Sequence, residues 1–487
     1  MAGWQAPSKG LRTPSYDRSS LTEGIVHIGV GGFHRAHEAV YTDDVFSTTD
    51  EKNWAICGVG LLPHDQRMKE ALESQDYLYT LVEKSAGKNE ARVVGSITSF
   101  LLALENPEKV LAKLSSSEIR IVSLTITEGG YCLNQSTGEF DGANADVQVD
   151  LANPHTPRTV FGYVTEALRR RRDAGTPAFT LLSCDNIQHN GDVARKMFLS
   201  FAELCNPGLA EWISQNVAFP NCMVDRITPA TTDADREMVR TEFGIDDAWP
   251  VVCEPFRQWV VEDNFCNGRP SWERVGAQMT HNVHPYEAMK IRLLNGSHSA
   301  MAYLGYLAGF TYIHEVMADM EFQTYIQRLM DEEVTPILMP VPGVDLEQYK
   351  ATLIERFANP NIGDQVARIC MDGSNKLPKF IFPTAEEQLA RAGQTHFLAL
   401  AVASWCRFLN GTDEKGYEIS LDDPRAETLR GAAIAGGHKA DKLFAMEEVF
   451  GSLGTSKEFI NQVNKALQSL YDMGARKTLR RYLASVS

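Results

Sequence analysis

Gly24-Ile25-Val26-His27-Ile28-Gly29-Val30-Gly31-Gly32-Phe33-His34 decides the fold. Its first half is a short apolar run, the pattern of a buried strand, and its second half is a glycine-rich turn. Residues 34–47 follow with helical periodicity, and residues 54–60 form a second apolar run. The chain therefore opens on a β-α-β unit, the position where dinucleotide-binding folds place theirs. In such a unit the first glycine permits a tight turn and the second lets the backbone approach a pyrophosphate. The helix N-terminus then faces the anion. The third glycine of G-x-G-x-x-G is replaced by His34, which predicts that helix and strand pack less closely there. Ile28, Gly29, Val30, Gly31, Gly32, Phe33, His34 and Arg35 are the expected cofactor-binding stretch. Asp65, in Leu61-Leu62-Pro63-His64-Asp65, is the candidate for the adenosine ribose. It lies further from the glycines than the usual ~20 residues, and the same aspartate also fits a plain helix cap.

Further apolar strands are predicted at 92–97, 119–125, 180–183 and 250–252, with helices at 107–114, 159–172 and 191–204 between several of them. Alternation of this kind indicates an α/β fold, a Rossmann-type, mostly parallel sheet with helices on both faces. Three polar clusters follow apolar runs: Thr127-Glu128-Gly129-Gly130-Tyr131, Cys184-Asp185-Asn186, and Asp225-Arg226-Ile227-Thr228-Pro229. The carboxyl edge of such a sheet is where ligands bind. From about residue 285 helical periodicity takes over, at 286–310, 315–332, 346–358, 361–371, 384–392, 394–409, 424–433, 437–450 and 456–485. The expected organisation is a dinucleotide-binding domain, residues 1–283, followed by a mainly α-helical substrate-binding and catalytic domain, residues 284–487. Residues 1–23 read as a leader arm lying over the surface.

The second half begins His284-Pro285-Tyr286-Glu287-Ala288-Met289-Lys290-Ile291-Arg292-Leu293-Leu294-Asn295-Gly296-Ser297-His298. Proline suits the first helical position and Glu287 suits the dipole of the first turn. At 100° per residue Lys290, Asn295 and His298 fall within an arc of about 140°. That face also carries Leu294, so three polar groups sit in an apolar surface, where burial without purpose is costly. The segment alone equally fits an ordinary helix in which Lys290 reaches outward to water and His298 is a satisfied core histidine.

With 487 residues, two domains are the natural expectation. The formal charge of −16 argues against nucleic acid and against an anionic membrane surface. Nine cysteines, scattered and never paired as C-x-x-C, indicate neither a disulfide framework nor a cysteine-rich zinc site. No apolar run is long enough to span a bilayer and no signal core is visible. A soluble cytoplasmic protein is expected, with a small molecule as its partner.

If the first domain holds a nicotinamide dinucleotide, the second has to supply a base for an alcohol. Lys290 can take the hydroxyl proton if burial lowers its pKa. Asn295, and Asn186 from the sheet edge, can donate to the developing alkoxide. No metal is required, and no zinc ligand set of the alcohol dehydrogenase kind is visible. Tyr286-x-x-x-Lys290 matches the short-chain dehydrogenase pair in spacing only; it lies far downstream and lacks the serine-bearing strand.

The chain resembles the polyol-specific long-chain dehydrogenases, the mannitol dehydrogenase family, nearly end to end. The resemblance is carried by Gly29-Val30-Gly31-Gly32-Phe33-His34-Arg35-Ala36-His37, Ser123-Leu124-Thr125-Ile126-Thr127-Glu128-Gly129-Gly130-Tyr131 and Ser183-Cys184-Asp185-Asn186. It continues in Met223-Val224-Asp225-Arg226-Ile227-Thr228-Pro229, Cys253-Glu254-Pro255-Phe256, and the Lys290-x-x-x-x-Asn295-x-x-His298 signature. It implies Lys290 as general base and Asn186 with Asn295 as the hole for the substrate oxygen. It also implies polyol contacts from His298, Asp225 and Arg368, and a Glu128 that gates proton exchange between lysine and solvent. The implied reaction is NAD-dependent, metal-independent oxidation of D-mannitol to D-fructose and its reverse. D-arabinitol oxidation by the same machinery is the runner-up. A hexuronate reductase would need more positive charge than Arg292 brings. A catalytically silent NADH-sensing protein is the alternative from another class. Relatives that prefer NAD often carry an acidic pair where this chain has His64-Asp65. One carboxylate remains to repel a 2′-phosphate, so NAD is expected over NADP, with weaker exclusion.

Overall fold

The computed structural model describes residues 11–85, 87–134 and 137–485. The chain divides into two compact units, Met1–Val283 and His284–Ser487.

Among the described residues the first unit contains eleven strands: β1 (Glu23–Ile28), β2 (Ala55–Gly60), β3 (Tyr79–Lys84), β4 (Asn89–Val94), β5 (Ile97–Leu102), β6 (Ile121–Leu124), β7 (Thr180–Ser183), β8 (Cys222–Asp225), β9 (Val251–Cys253), β10 (Gln258–Glu262) and β11 (Gln278–Thr280). Five of them form a parallel sheet in the order β5-β2-β1-β6-β7. Strand residues alternate between two apolar cores. Val26, Cys57, Val122 and Leu181 pack on one side, with helices Pro107–Ser115, Val160–Ala174 and Asn190–Cys205. Ile25, Ile56, Ile121 and Leu182 pack on the other, with helix Glu38–Thr48. That alternation is the period-2 signature of a sheet covered on both faces. The chain order reverses between β1 and β6, and their loops meet there: the Thr125 N–H donates to the Ile28 carbonyl at 3.1 Å, and the Thr125 hydroxyl to Gly29 at 2.7 Å.

Two sequence expectations change. Residues 92–97 are not one strand; the chain breaks at Gly95-Ser96 and leaves the antiparallel β3–β4 hairpin to enter β5. Asp225 ends β8, which belongs to a separate sheet of order β11-β10-β8 and pairs antiparallel with β10. The third polar cluster therefore does not sit on the edge of the parallel sheet. The described part of the leader arm is pinned: the Val93 N–H donates to the Arg12 carbonyl at 2.8 Å, and Arg18 donates to the carbonyls of Gly95 and Ile97 at 3.1 Å each.

The second unit is helical. Helix His396–Phe408 is its centre, with every residue from Phe397 to Phe408 buried, and it packs on Gly296–Leu307 and on Lys457–Ala484. The last helix is broken at Gly474, whose φ of +81° few other residues tolerate. Among the described residues no helix is long and apolar enough to cross a membrane.

Candidate functional site

The glycine turn is built for close backbone approach. Gly29 has φ +94°, and a Cβ there would lie 2.2 Å from the Thr125 carbonyl oxygen, so glycine is obligatory. At Gly31 a Cβ would meet nothing nearer than 3.9 Å. That residue is extended and precedes the short helix Gly32–Ala36. The expected single helix over 34–47 is two, because His37 takes φ −125° and ψ −95° between them.

His34 fills the space that a third glycine would have closed. Its ring is buried and lies parallel to that of His27 on β1, centroids 3.5 Å apart and 11° between planes. Burial pushes the His34 imidazole well below its usual range, with the charges of His27, Arg35 and His37 acting the same way. Glu38 closes the cluster, its Oε2 3.2 Å from His27 Nδ1. Donor atoms of His27, His34 and Glu38 lie within 4.8 Å of one another. Imidazole lone pairs lie in the ring plane, so two parallel stacked rings do not aim at one centre.

For two of the expected cofactor residues the side chains turn inward. The Arg35 side chain is fully buried, donating from Nη1 to the Trp249 carbonyl at 2.5 Å and lying over the Tyr79 ring. Its backbone N–H is used by Gly31 at 3.3 Å. Both side chains lie inside the fold, so any contact these two residues make with a cofactor falls to their backbone. Ile28 and Val30 are core residues, and Phe33 stacks on His37 at 4.9 Å. Asp65 opens the helix that follows β2, and its Oδ2 accepts the Leu62 N–H at 2.8 Å, a local cap that leaves Oδ1 facing His64 at 3.6 Å.

Beside the glycine turn, the loop after β6 carries Glu128 on a single helical turn, Glu128–Tyr131. The loop after the neighbouring β7 carries Asn186, which is exposed. Between them Asp185, passed over in the sequence, is buried and accepts the N–H groups of Ile126 and Thr127 at 3.1 and 2.8 Å. Asp225 is buried at the end of β8.

In the second unit, helix His284–Met289 leads into a π-helical turn, Lys290–Asn295, and then into helix Gly296–Leu307. The turn is closed by the Gly296 N–H donating to Ile291, five residues back. Lys290 and His298 are buried, and His298 packs on the Phe357 ring at 4.5 Å. The Oδ1 atom of Asn295 is buried without a hydrogen-bond partner, a costly state unless a ligand or water satisfies it. Arg292 is held by both Glu387 oxygens, so it is not a spare cation for a substrate carboxylate. Arg368 is exposed on the short helix Val366–Ile369 and paired with Asp364 at 2.9 Å from Nε. Two further charged groups in this unit were not among the expected site residues. Glu287 is buried one turn ahead of Lys290, where i, i+3 spacing alone would have pointed to it. Lys376 is half-buried, and burial pulls its ammonium below the usual range.

Two family models match the chain: the mannitol dehydrogenase Rossmann domain over residues 23–274, and the mannitol dehydrogenase C-terminal domain over residues 282–471. A mannitol 2-dehydrogenase of Aspergillus terreus is 48% identical, covering 97% of this chain and 96% of the relative. One from Pyricularia oryzae is 46% identical over 98% and 96%. Among solved structures, a Pseudomonas fluorescens mannitol 2-dehydrogenase in ternary complex with NAD and D-mannitol is 50% identical, with TM-score 0.89 and 98% of both chains covered. A D-sorbitol dehydrogenase in substrate-free form is 38% identical, with TM-score 0.90 over 97% of this chain and 98% of that one. The chain belongs to the mannitol dehydrogenase family.

Proposed function

We propose that the protein oxidises D-mannitol to D-fructose, and reduces the ketose in the reverse direction, with NAD as cofactor and Lys290 as general base. The observation that carries this reading is the 50% identity, over nearly the whole of both chains, to the Pseudomonas fluorescens enzyme whose complex holds NAD and D-mannitol. The donor set fits the dinucleotide: the obligatory glycine at 29 and the open approach at Gly31 make the cradle, and the Asp65 carboxylate is the acceptor for a ribose hydroxyl. When bound, NAD supplies the acceptor for the hydrogen that leaves the carbinol carbon.

The chain's own residues do the rest. Lys290 takes the hydroxyl proton at Nζ, a task that needs a neutral amine, which a buried site favours. Asn186 and Asn295 donate amide N–H groups to the oxygen as charge develops on it. An Asn295 amide turned that way uses its NH2 on the substrate, and its buried Oδ1 becomes free to accept a polyol hydroxyl. His298, Asp225 and Arg368 bind the remaining hydroxyls, and Glu128 passes the proton between the lysine and water. No step calls for a metal.

Initial rates with mannitol, arabinitol, sorbitol and xylitol, each with NAD and NADP, test the assignment. Mannitol with NAD is expected to lead by at least about tenfold in kcat/KM. Lys290→Ala is expected to cost about 10³-fold or more in kcat while NADH binds nearly as before. Full activity in that variant sinks the lysine mechanism, and no turnover of any polyol in either direction favours an NADH-sensing role.

A further inference from the structure

We propose that Asp185 is a positioning residue that sets Glu128 and Asn186 in their working places. The inference rests on the lysine-base reading above and adds a member to the machinery. The Asp185 carboxylate is buried, and among the described residues every hydrogen bond made to it comes from the β6 loop. Oδ1 accepts the Thr127 N–H at 2.8 Å; Oδ2 accepts the Ile126 N–H at 3.1 Å and the Tyr131 hydroxyl at 2.8 Å. Ile126 and Thr127 precede Glu128, and Tyr131 ends its single turn. The carboxylate therefore grips that turn at both ends, with Glu128 held between.

The grip works against the backbone. Thr127 sits at φ +61° and ψ 168°, a conformation a β-branched residue avoids. Such a residue persists only where its surroundings over-determine it, and here two successive N–H groups are tied to one carboxylate. Burial pushes the Asp185 carboxyl upward, and the hydroxyl and the two N–H donors pull the other way by favouring the charged form. With the carboxylate ionised, all three donors find an acceptor.

The main chain of the same residue anchors Asn186. The Asp185 carbonyl, which is the peptide bond into Asn186, accepts Asn190 Nδ2 at 3.1 Å. Asn190 is itself fixed to Cys222 at the start of β8, donating to its carbonyl at 2.8 Å and accepting its N–H at 2.9 Å. The Asp185 N–H reaches Ser183 Oγ at 3.4 Å, and that hydroxyl is 2.6 Å from Tyr131. A single aspartate thus sets the distance between the proposed proton relay and one proposed oxyanion donor, both carried on loops that would otherwise move independently.

Asp185→Asn replaces one acceptor oxygen with a donor, so at least one of the three loop donors is left facing an NH2. NADH titration counts the folded sites and is expected to stay within about threefold of wild type, while kcat for mannitol oxidation falls roughly 30-fold. The ionisation seen in the pH profile of kcat is expected to move by about one unit as Glu128 is displaced. Tyr131→Phe removes one donor and leaves the carboxylate in place, so it should shift the same quantities in the same direction, by about fivefold in kcat; it decides the matter if Asp185→Asn does not fold. The inference is overturned if these variants melt lower yet keep kcat within about twofold and an unshifted profile. Lys290→Ala, measured alongside, separates the two failures. An active Lys290→Ala removes the lysine reading itself, whereas an inactive one beside an active Asp185→Asn removes only the positioning role.

Discussion

Lys290 and Asn295 open and close one π-helical turn. On an α-helix residues five apart diverge by about 140°; a turn whose hydrogen bonds run five residues back is wider and brings them closer to one face. The five-residue spacing between the proposed base and the proposed oxygen donor is thus one turn of this local geometry. Gly296 closes the turn, and a Cβ there would lie 3.1 Å from the Phe380 carbonyl oxygen, a backbone atom with little room to give. Gly296→Ala is expected to lower kcat by about tenfold through displacement of Asn295. Its melting temperature should move little, since alanine returns about 1 kcal/mol of helix propensity. Unchanged kcat would show that the π register is dispensable.

Gly29→Ala meets both a positive φ and a fixed carbonyl 2.2 Å away. The expected cost is about 3 kcal/mol or more, with loss of NADH binding, read by chemical denaturation and fluorescence titration. A variant that binds NADH normally would mean the turn does not hold the dinucleotide.

His64 and Asp65 set the expectation for cofactor choice. Asp65→Ala should raise kcat/KM for NADP relative to NAD by about tenfold, and cost about 1 kcal/mol because the Leu62 N–H loses its acceptor. His64→Glu should move the ratio the opposite way. Identical ratios in all three proteins would locate cofactor discrimination elsewhere.

Glu333 gives a pH dependence of stability. It is fully buried and accepts the N–H groups of Phe397 and Leu398, at 2.7 and 2.8 Å, at the start of helix His396–Phe408. Burial outweighs those donors and pushes its carboxyl up from 4.5 to about 7. The folded state therefore holds this proton more tightly than the unfolded chain. Its contribution is complete below about pH 4.5 and is lost as pH rises through 7, on the order of 3 kcal/mol. Calorimetry between pH 5 and 8 should show the decline. Glu333→Gln should flatten it while lowering stability at pH 5, since an amide oxygen serves only one of the two N–H groups. Equal slopes would remove Glu333 as the cause.

Strands β1, β2, β6 and β7 were legible because each is a short apolar run stopped by glycine or polar residues, and helices such as Pro107–Ser115 because they announce their caps. β8 was not: Cys222–Asp225 is four residues long and reads as the beginning of a polar cluster. The break at Gly95-Ser96 was hidden because β4 ends and β5 begins within one apolar stretch. The π turn was hidden because it spans only six residues, with ordinary helical patterning on either side of it. Among the candidate residues, Lys290, Asn295 and His298 stood out as polar groups on an apolar face. Asp185 did not, because what distinguishes it is which backbone amides fold back onto it, and that is settled by the neighbouring strand.

The stacked pair His27 and His34 carries a consequence for anyone grafting nucleotide loops between scaffolds. In the common motif a glycine lets helix and strand touch; here an imidazole from each side fills a wider gap. Replacing His34 by glycine to restore the common motif would open a cavity beneath the turn and leave His27 and Glu38 without their neighbour. The helix-side and strand-side positions act as two halves of one spacer, and a transplant that moves the loop without the strand residue would bring only half of it.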